Sequence, residues 1–391
     1  MRWFQPFKTS VAAAALLSAA ALLGGGAAQA QSTSLRYAVG FPTGAAPESA
    51  RLYADAVKKY SNNTLNVRVF DLSLLNLAEM SGGLKQGVAD IGYVLTPYFP
   101  AEFPHLNMAT ELSMLLALRD DPSGKGGLAY GGAMAEFMFQ HCKECEADFA
   151  KQNQLYTSTG GSSNYMLLCN KPMRTQADLK GARLRAGGAA WARWAREMGA
   201  TPASMSGNEV FEALHQKVVD CAIISAPELS GLNLKDAVTH ITTDVPGGAF
   251  SGATSNVNLD AWRKLNEVQR SALLRAGTVL GAEVSMRYLK YGQRDLERAK
   301  AKGTQITQAD PALVQASRKA IEADIQTIAA SYTKQHNVKR ADEIVATMRR
   351  LVDRWMPLVQ NVENAEQLAD LYWREVYSKV DVKTYGGPAR K

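Results

Sequence analysis

The run Leu84-x-Gln86-x-Val88-x-Asp90 returns as Leu214-x-Gln216-x-Val218-x-Asp220, at a constant offset of 130 residues. In both places an apolar helical face ends and a buried strand begins. A chain that builds the same helix-to-strand unit twice is constrained to an α/β architecture of two similar lobes. Such proteins bind ligands in the crevice between lobes. The 391 residues leave room for two lobes of about 100–200 residues each.

Element signals agree with this. Leu35 to Val39 reads as a strand, and the loop Gly40-Phe41-Pro42-Thr43-Gly44 leads to a helix with Tyr53, Val57 and Tyr60 on one face. Leu65, Val67 and Val69 alternate with polar residues as a strand does, a helix follows around Leu77 to Gln86, and Asp90 to Leu95 is again strand-like. A second series starts near Leu155. It has strands at Tyr165–Cys169, Leu184–Ala186 and Asp220–Ser225, with helices carrying Trp191, Trp194 and Met198 and spanning Asn208 to Gln216. From Asp260 the pattern is mostly helical. Asp310-Pro311 is an N-cap with Pro at the first helical position, and Ile321, Ile325, Ile328 and Tyr332 form an apolar core stripe.

The first thirty residues read as an address. Arg2 and Lys8 precede an apolar stretch from Val11 to Leu23, and Ala28-Gln29-Ala30 fits a cleavage site before Gln31. The stretch is shorter than the ~20 residues that span a bilayer. Export permits disulfides. Cys142, Cys145, Cys169 and Cys221 allow three connectivities, of which Cys142–Cys145 with Cys169–Cys221 is favoured. The first pair falls in a helical segment and the second in two strand-like segments. A lone C-x-x-C beside His141 is too little for a zinc site. The net charge of +7 is spread without a run of five like charges, so no nucleic-acid partner is expected.

Catalytic signatures are missing: there is no H-E-x-x-H, no G-x-S-x-G and no Walker-type glycine loop. Five histidines offer little for acid–base or metal work, and no cofactor is expected. The informative residues are Arg183 and Arg185. A strand-borne guanidinium facing a cleft can hold a carboxylate through two parallel hydrogen bonds. The residues alone do not separate the two arginines.

The run Asn170-Lys171-Pro172-Met173-Arg174-Thr175-Gln176-Ala177-Asp178-Leu179-Lys180-Gly181-Ala182-Arg183-Leu184-Arg185 resembles the K-P-I-R-T-P-E-D-L-K-G-L-K-I-R segment of TRAP-transporter solute-binding proteins, the DctP-like family. Met198-Gly199-Ala200-Thr201-Pro202, the segment Glu209 to Asp220, and Asn258-Leu259-Asp260-Ala261-Trp262-Arg263-Lys264-Leu265 resemble further family segments, in the same order from about Leu35 to Gly277. The resemblance implies a two-lobed, periplasmic-binding-protein-like (type II) fold with a mostly helical C-terminal region. It implies a signal peptide at 1–30, lobe I at 33–155 with a return segment at about 251–290, and lobe II at 156–250 with C-terminal helices at about 291–391. It also implies a periplasmic receptor, monomeric or dimeric, that closes on a small carboxylate and delivers it to a permease of one small and one large subunit.

By the same resemblance Arg185 is the carboxylate clamp. Asn164, Asn208, Ser225, Tyr98, Phe99 and Trp191 are expected to complete the pocket. Asn164 stands where many members carry a second Arg, which disfavours strict dicarboxylate binding. Met205-Ser206-Gly207-Asn208 replaces the family's pocket aromatic. The competing readings are an ABC-type binding protein and a secreted enzyme on the same fold.

Overall fold

The structure, a computed structural model, describes residues 32–387. The expected signal peptide lies outside the described residues. Eleven strands form two sheets: β1 (Thr33–Ala38), β2 (Leu65–Phe70), β3 (Ile91–Val94), β4 (Gln154–Gly161), β5 (Tyr165–Cys169), β6 (Arg183–Ala186), β7 (Thr201–Ser204), β8 (Cys221–Ser225), β9 (His240–Thr243), β10 (Ser251–Asn258) and β11 (Gln305–Gln308). Lobe I has the order β2-β1-β3-β10-β4 and lobe II the order β11-β9-β5-β8-β6-β7. β1, β2 and β3 run parallel, as do β6, β7 and β8, because helices carry the chain back between them.

The chain passes between lobes four times among the described residues, the last time through helix Pro311–His336. Residues 162–164 join β4 to β5, and residues 244–250 return from β9 to β10, which enters the lobe I sheet antiparallel to β3 and β4. The third link is the helix Glu267–Ala301, about 52 Å long at 1.5 Å per residue. It packs against helix Ala45–Tyr60 and β4 in lobe I and leads to β11 in lobe II. Its seat on β4 is set by two glycines one helical turn apart. A methyl group at Gly277 would stand 2.4 Å from the Thr157 carbonyl oxygen, and one at Gly281 would stand 2.0 Å from that of Thr159. Only glycine allows helix and strand backbones to meet this closely.

The repeated sequence unit is a repeated clip. In lobe I the Arg36 backbone N–H and Nε donate to Asp90 Oδ2 at 2.8 and 2.9 Å, and Nη2 donates to the Gly87 carbonyl at 2.9 Å. In lobe II the Arg183 backbone N–H donates to Asp220 Oδ2 at 2.8 Å, and Nη2 donates to the Lys217 carbonyl at 2.7 Å. Each clip ties one strand to the turn before its parallel neighbour, and Gly87 and Lys217 both take a left-handed φ. The two halves therefore share local architecture as well as residues.

The C-terminal helices, expected at about 291–391 with lobe II, contact both lobes. Helix Pro311–His336 bridges the lobes: Trp194 Nε1 donates to Ser317 Oγ at 2.8 Å, while the Tyr332 hydroxyl donates to buried Glu111. Helices Ala341–Leu358 and Ala365–Glu375 pack on lobe I, where Trp355 lies against Gly132 and Tyr372 donates to the Leu128 carbonyl at 2.7 Å. Their apolar faces are satisfied by helix Gly126–Glu136 and the long helix, both elements of lobe I.

Both disulfides of the favoured connectivity are present, Cys142–Cys145 and Cys169–Cys221. The second joins residues directly opposite each other on antiparallel β5 and β8. Cys142 is the N-cap of helix Lys143–Lys151, one position before the helix rather than inside it.

Candidate functional site

Arg183 and Arg185 stand on the same face of β6, two residues apart. Arg183, at the start of the strand, is exposed and held in its clip, while Arg185, nearer the carboxyl end, is buried at 1% exposure. Its side chain is aimed by the backbone. Nε and Nη2 donate to the Met205 carbonyl at 3.2 and 3.1 Å, and Nη2 also donates to the Tyr98 hydroxyl at 2.8 Å. Nη1 has no protein partner among the described residues. The guanidinium lies against Gly187, where a methyl group would stand 2.9 Å from Nη1. Glycine thus leaves the room that the guanidinium occupies.

Arg185 opens into a cleft between the lobes with about 490 Å³ of empty space, the part open to solvent included. Apolar walls come from both sheets and the long helix: Phe41, Leu77 and Leu95 from lobe I, Ile224 and Leu232 from lobe II, and Val284. Phe250, on the return link, and four tyrosines, Tyr93, Tyr98, Tyr165 and Tyr288, complete them. The hydroxyls of Tyr93 and Tyr165 have no protein hydrogen bond among the described residues. Burial pushes both phenols up, so they remain neutral hydrogen-bonding groups.

The lobes meet around this cavity. The Gly207 N–H donates to Tyr98 Oη at 2.9 Å, so the Tyr98 oxygen accepts from Arg185 and from the next loop of lobe II at once. The Leu77 N–H donates to Asn208 Oδ1 at 3.1 Å, and Asn208 Nδ2 donates to the Gly40 carbonyl at 3.2 Å. Thr43 Oγ1 donates to the Ser230 carbonyl at 3.2 Å. These contacts make the conformation a closed one.

Of the residues expected at the pocket, Arg185 and Tyr98 line it. Asn208 is an interlobe clasp instead, both ends of its amide being used by lobe I backbone. Trp191 lies one layer behind, stacked on Tyr165 with ring centroids 4.3 Å apart and donating to the Gly247 carbonyl. Ser225 is buried in β8, its hydroxyl has no hydrogen-bond partner among the described residues, and it is not in the cavity lining. Phe99 faces a separate groove with Pro97 and Arg193, and Asn164 is exposed on the outer side of the first link. The chain turns at the ends of β3 and β4 and carries these last two side chains away from the crevice.

The residues missed are Glu228 and Tyr288. Glu228 Oε1 accepts a hydrogen bond from the Tyr288 hydroxyl at 2.6 Å, and both residues line the cavity. Burial pushes the Glu228 carboxyl up to about 7, against the Tyr288 hydrogen bond and the Arg185 charge and with the help of Asp295. A signal for it was present. The repeat offset of 130 carries Pro97-Tyr98, just past β3, onto Pro227-Glu228, just past β8. The two lobes therefore present their pocket side chains from equivalent turns at the carboxyl ends of parallel strands.

Residues 45–332 match the bacterial extracellular solute-binding protein family 7, DctP. A solute-binding protein of Albidiferax ferrireducens is 22% identical over 274 residues, 68% of this chain and 76% of that protein. Among solved structures, a marine metagenome TRAP solute-binding protein specific for pyroglutamate superposes with a TM-score of 0.68 at 20% identity, covering 82% of this chain and 99% of that one. A TRAP periplasmic solute-binding protein from Bordetella bronchiseptica, with bound mandelate, gives a TM-score of 0.68 at 19% identity over 82% and 99%. An extracytoplasmic solute receptor of Bordetella pertussis that binds pyroglutamic acid gives 0.64 at 22% identity over 81% and 100%. These relatives are binding proteins and not enzymes. The chain is a member of the DctP family of bacterial extracellular solute-binding proteins.

Proposed function

We propose that this protein is the extracytoplasmic receptor of a TRAP transporter and captures a small organic acid, whose carboxylate is held by Arg185. The observation that carries the reading is the guanidinium itself. It is buried and anchored through Nε and Nη2, while Nη1 has no protein partner among the described residues in a largely aromatic cavity. A buried cation with unspent donors is costly unless an anion completes it.

The ligand would bind between open lobes. Closure then brings Tyr98 onto Arg185 and Asn208 onto the lobe I backbone, removing water from the ion pair and strengthening it. The closed receptor is the form delivered to the membrane permease, with its small and large subunits. Export through the leader at 1–30 places this exchange in the periplasm. Relatives that bind pyroglutamate and mandelate support a compact acid with one carboxylate and a ring.

The test is a thermal-shift and titration screen of the protein starting at Gln31, refolded to remove co-purified ligand, against small organic acids including pyroglutamate and mandelate. An acid at about 100 times its Kd adds about 2.7 kcal/mol to the native state. Arg185→Ala is expected to lose about 2–5 kcal/mol of affinity while keeping its fold by circular dichroism. Unchanged affinity in that variant would remove the clamp assignment.

A further inference from the structure

The cavity contains something that a trap for negative charge does not need, a second charge of the ligand's own sign. Glu228 is 6% exposed, and its one side-chain hydrogen bond among the described residues comes from Tyr288. No Arg, Lys or His forms an ion pair with it among the described residues, and Arg185 acts on it only through its charge. The other charged or titratable groups within electrostatic reach are Tyr288 and Asp295 on the long helix, Arg185 on β6, Tyr93 on β3 and Tyr165 on β5. Asp295 is already paired with Arg294 at 2.8 Å and lies near Arg298. The enclosed space therefore has one cation and one anion of its own.

Resting on the carboxylate-receptor reading, we propose that Glu228 is the charge filter of the pocket: it admits acids with one carboxylate and an uncharged hydrogen-bonding group, and turns away dicarboxylates. A first carboxylate is matched by Arg185. A second would share a low-dielectric space with Glu228 and meet no second guanidinium, since Asn164 faces outward. A carboxamide, lactam or hydroxyl can instead donate to the Glu228 carboxylate or accept from its carboxyl. The filter depends on pH. With a carboxyl near 7, Glu228 is mostly ionised at pH 8.5 and mostly neutral at pH 6.5.

The test uses matched probes of equal size, glutarate against glutaramate and succinate against succinamate, titrated calorimetrically at pH 6.5 and 8.5. The second carboxylate of each diacid is ionised at both. Admitting a diacid requires a proton on Glu228, so the monoamide should bind on the order of 30-fold more tightly than its diacid at pH 8.5, shrinking to about 2-fold or less at pH 6.5. Glu228→Gln, of the same size and still able to accept from Tyr288, should abolish both the gap and its pH dependence. The wild-type pH comparison stands without any variant, so a misfolded variant does not rescue the proposal. Equal binding of diacid and monoamide at pH 8.5, or a gap that survives Glu228→Gln, overturns it. Pyroglutamate binding with neither member of either pair binding also overturns it, since shape would then select. If no acid binds, pyroglutamate and mandelate included, the carboxylate-receptor reading itself fails.

Discussion

Burial acts on Glu228 as a standing penalty on its charge. Its carboxyl sits near 7 in the folded chain against an ordinary value of 4.5. The folded state therefore prefers the proton, and stability present at low pH is lost as pH rises toward 7. Glu228→Gln escapes that loss. The variant is expected to match wild type below about pH 4.5 and to exceed it by about 1–3 kcal/mol at pH 8, read from denaturant unfolding at the two values. A variant less stable at pH 8 would show that the ionised carboxylate holds the Tyr288 contact together. Arg183 and Arg185 show what could and could not be read at this scale. Composition and spacing left them equal, and family resemblance favoured Arg185. The structure gives the two different settings: Arg183, at the exposed start of β6, is held by the Asp220 clip, and Arg185, nearer the carboxyl end, is buried against Met205 and Tyr98. Asn208 was unreadable because its contacts depend on which backbone groups arrive from the other lobe.

Among elements, the β5–β8 pair is held by two devices, its ladder and the Cys169–Cys221 bridge. Their sulfurs join residues 52 apart, so the bridge removes about 4 kcal/mol of unfolded-chain entropy, against about 1.6 for Cys142–Cys145, which spans 3. Cys169→Ala with Cys221→Ala should therefore lower the unfolding midpoint clearly, and the other double variant much less, by urea titration under oxidising conditions. Comparable losses would mean that the Cys142 cap, rather than chain entropy, governs the outcome. Strands β1, β2, β3, β5, β6 and β8 were legible in the sequence, but β4, β7, β9, β10 and β11 were not. Thr201–Ser204 contains Pro202 and no fully buried residue, and it pairs only on the β6 side of the sheet. The C-terminal helices were legible as helices, yet an apolar stripe does not say which lobe it will cover.

For the whole molecule, closure rests on a few backbone-directed bonds. Asn208 supplies two of them across the crevice. Asn208→Ala should weaken every ligand by a similar factor of about 5–30, since it removes about 1–2 kcal/mol from the closed state and nothing from the ligand's own contacts. Small-angle scattering of the ligand-bound variant should show a larger open fraction. A loss confined to one ligand would instead make Asn208 a ligand contact. The long helix gives the same motion a mechanical form. It cannot slide on β4, because Gly277 and Gly281 leave no clearance, and two turns further along it offers the Tyr288 phenol to Glu228. It is thus a beam bolted to one plate, and its phenol bond to Glu228 pins the other plate to it.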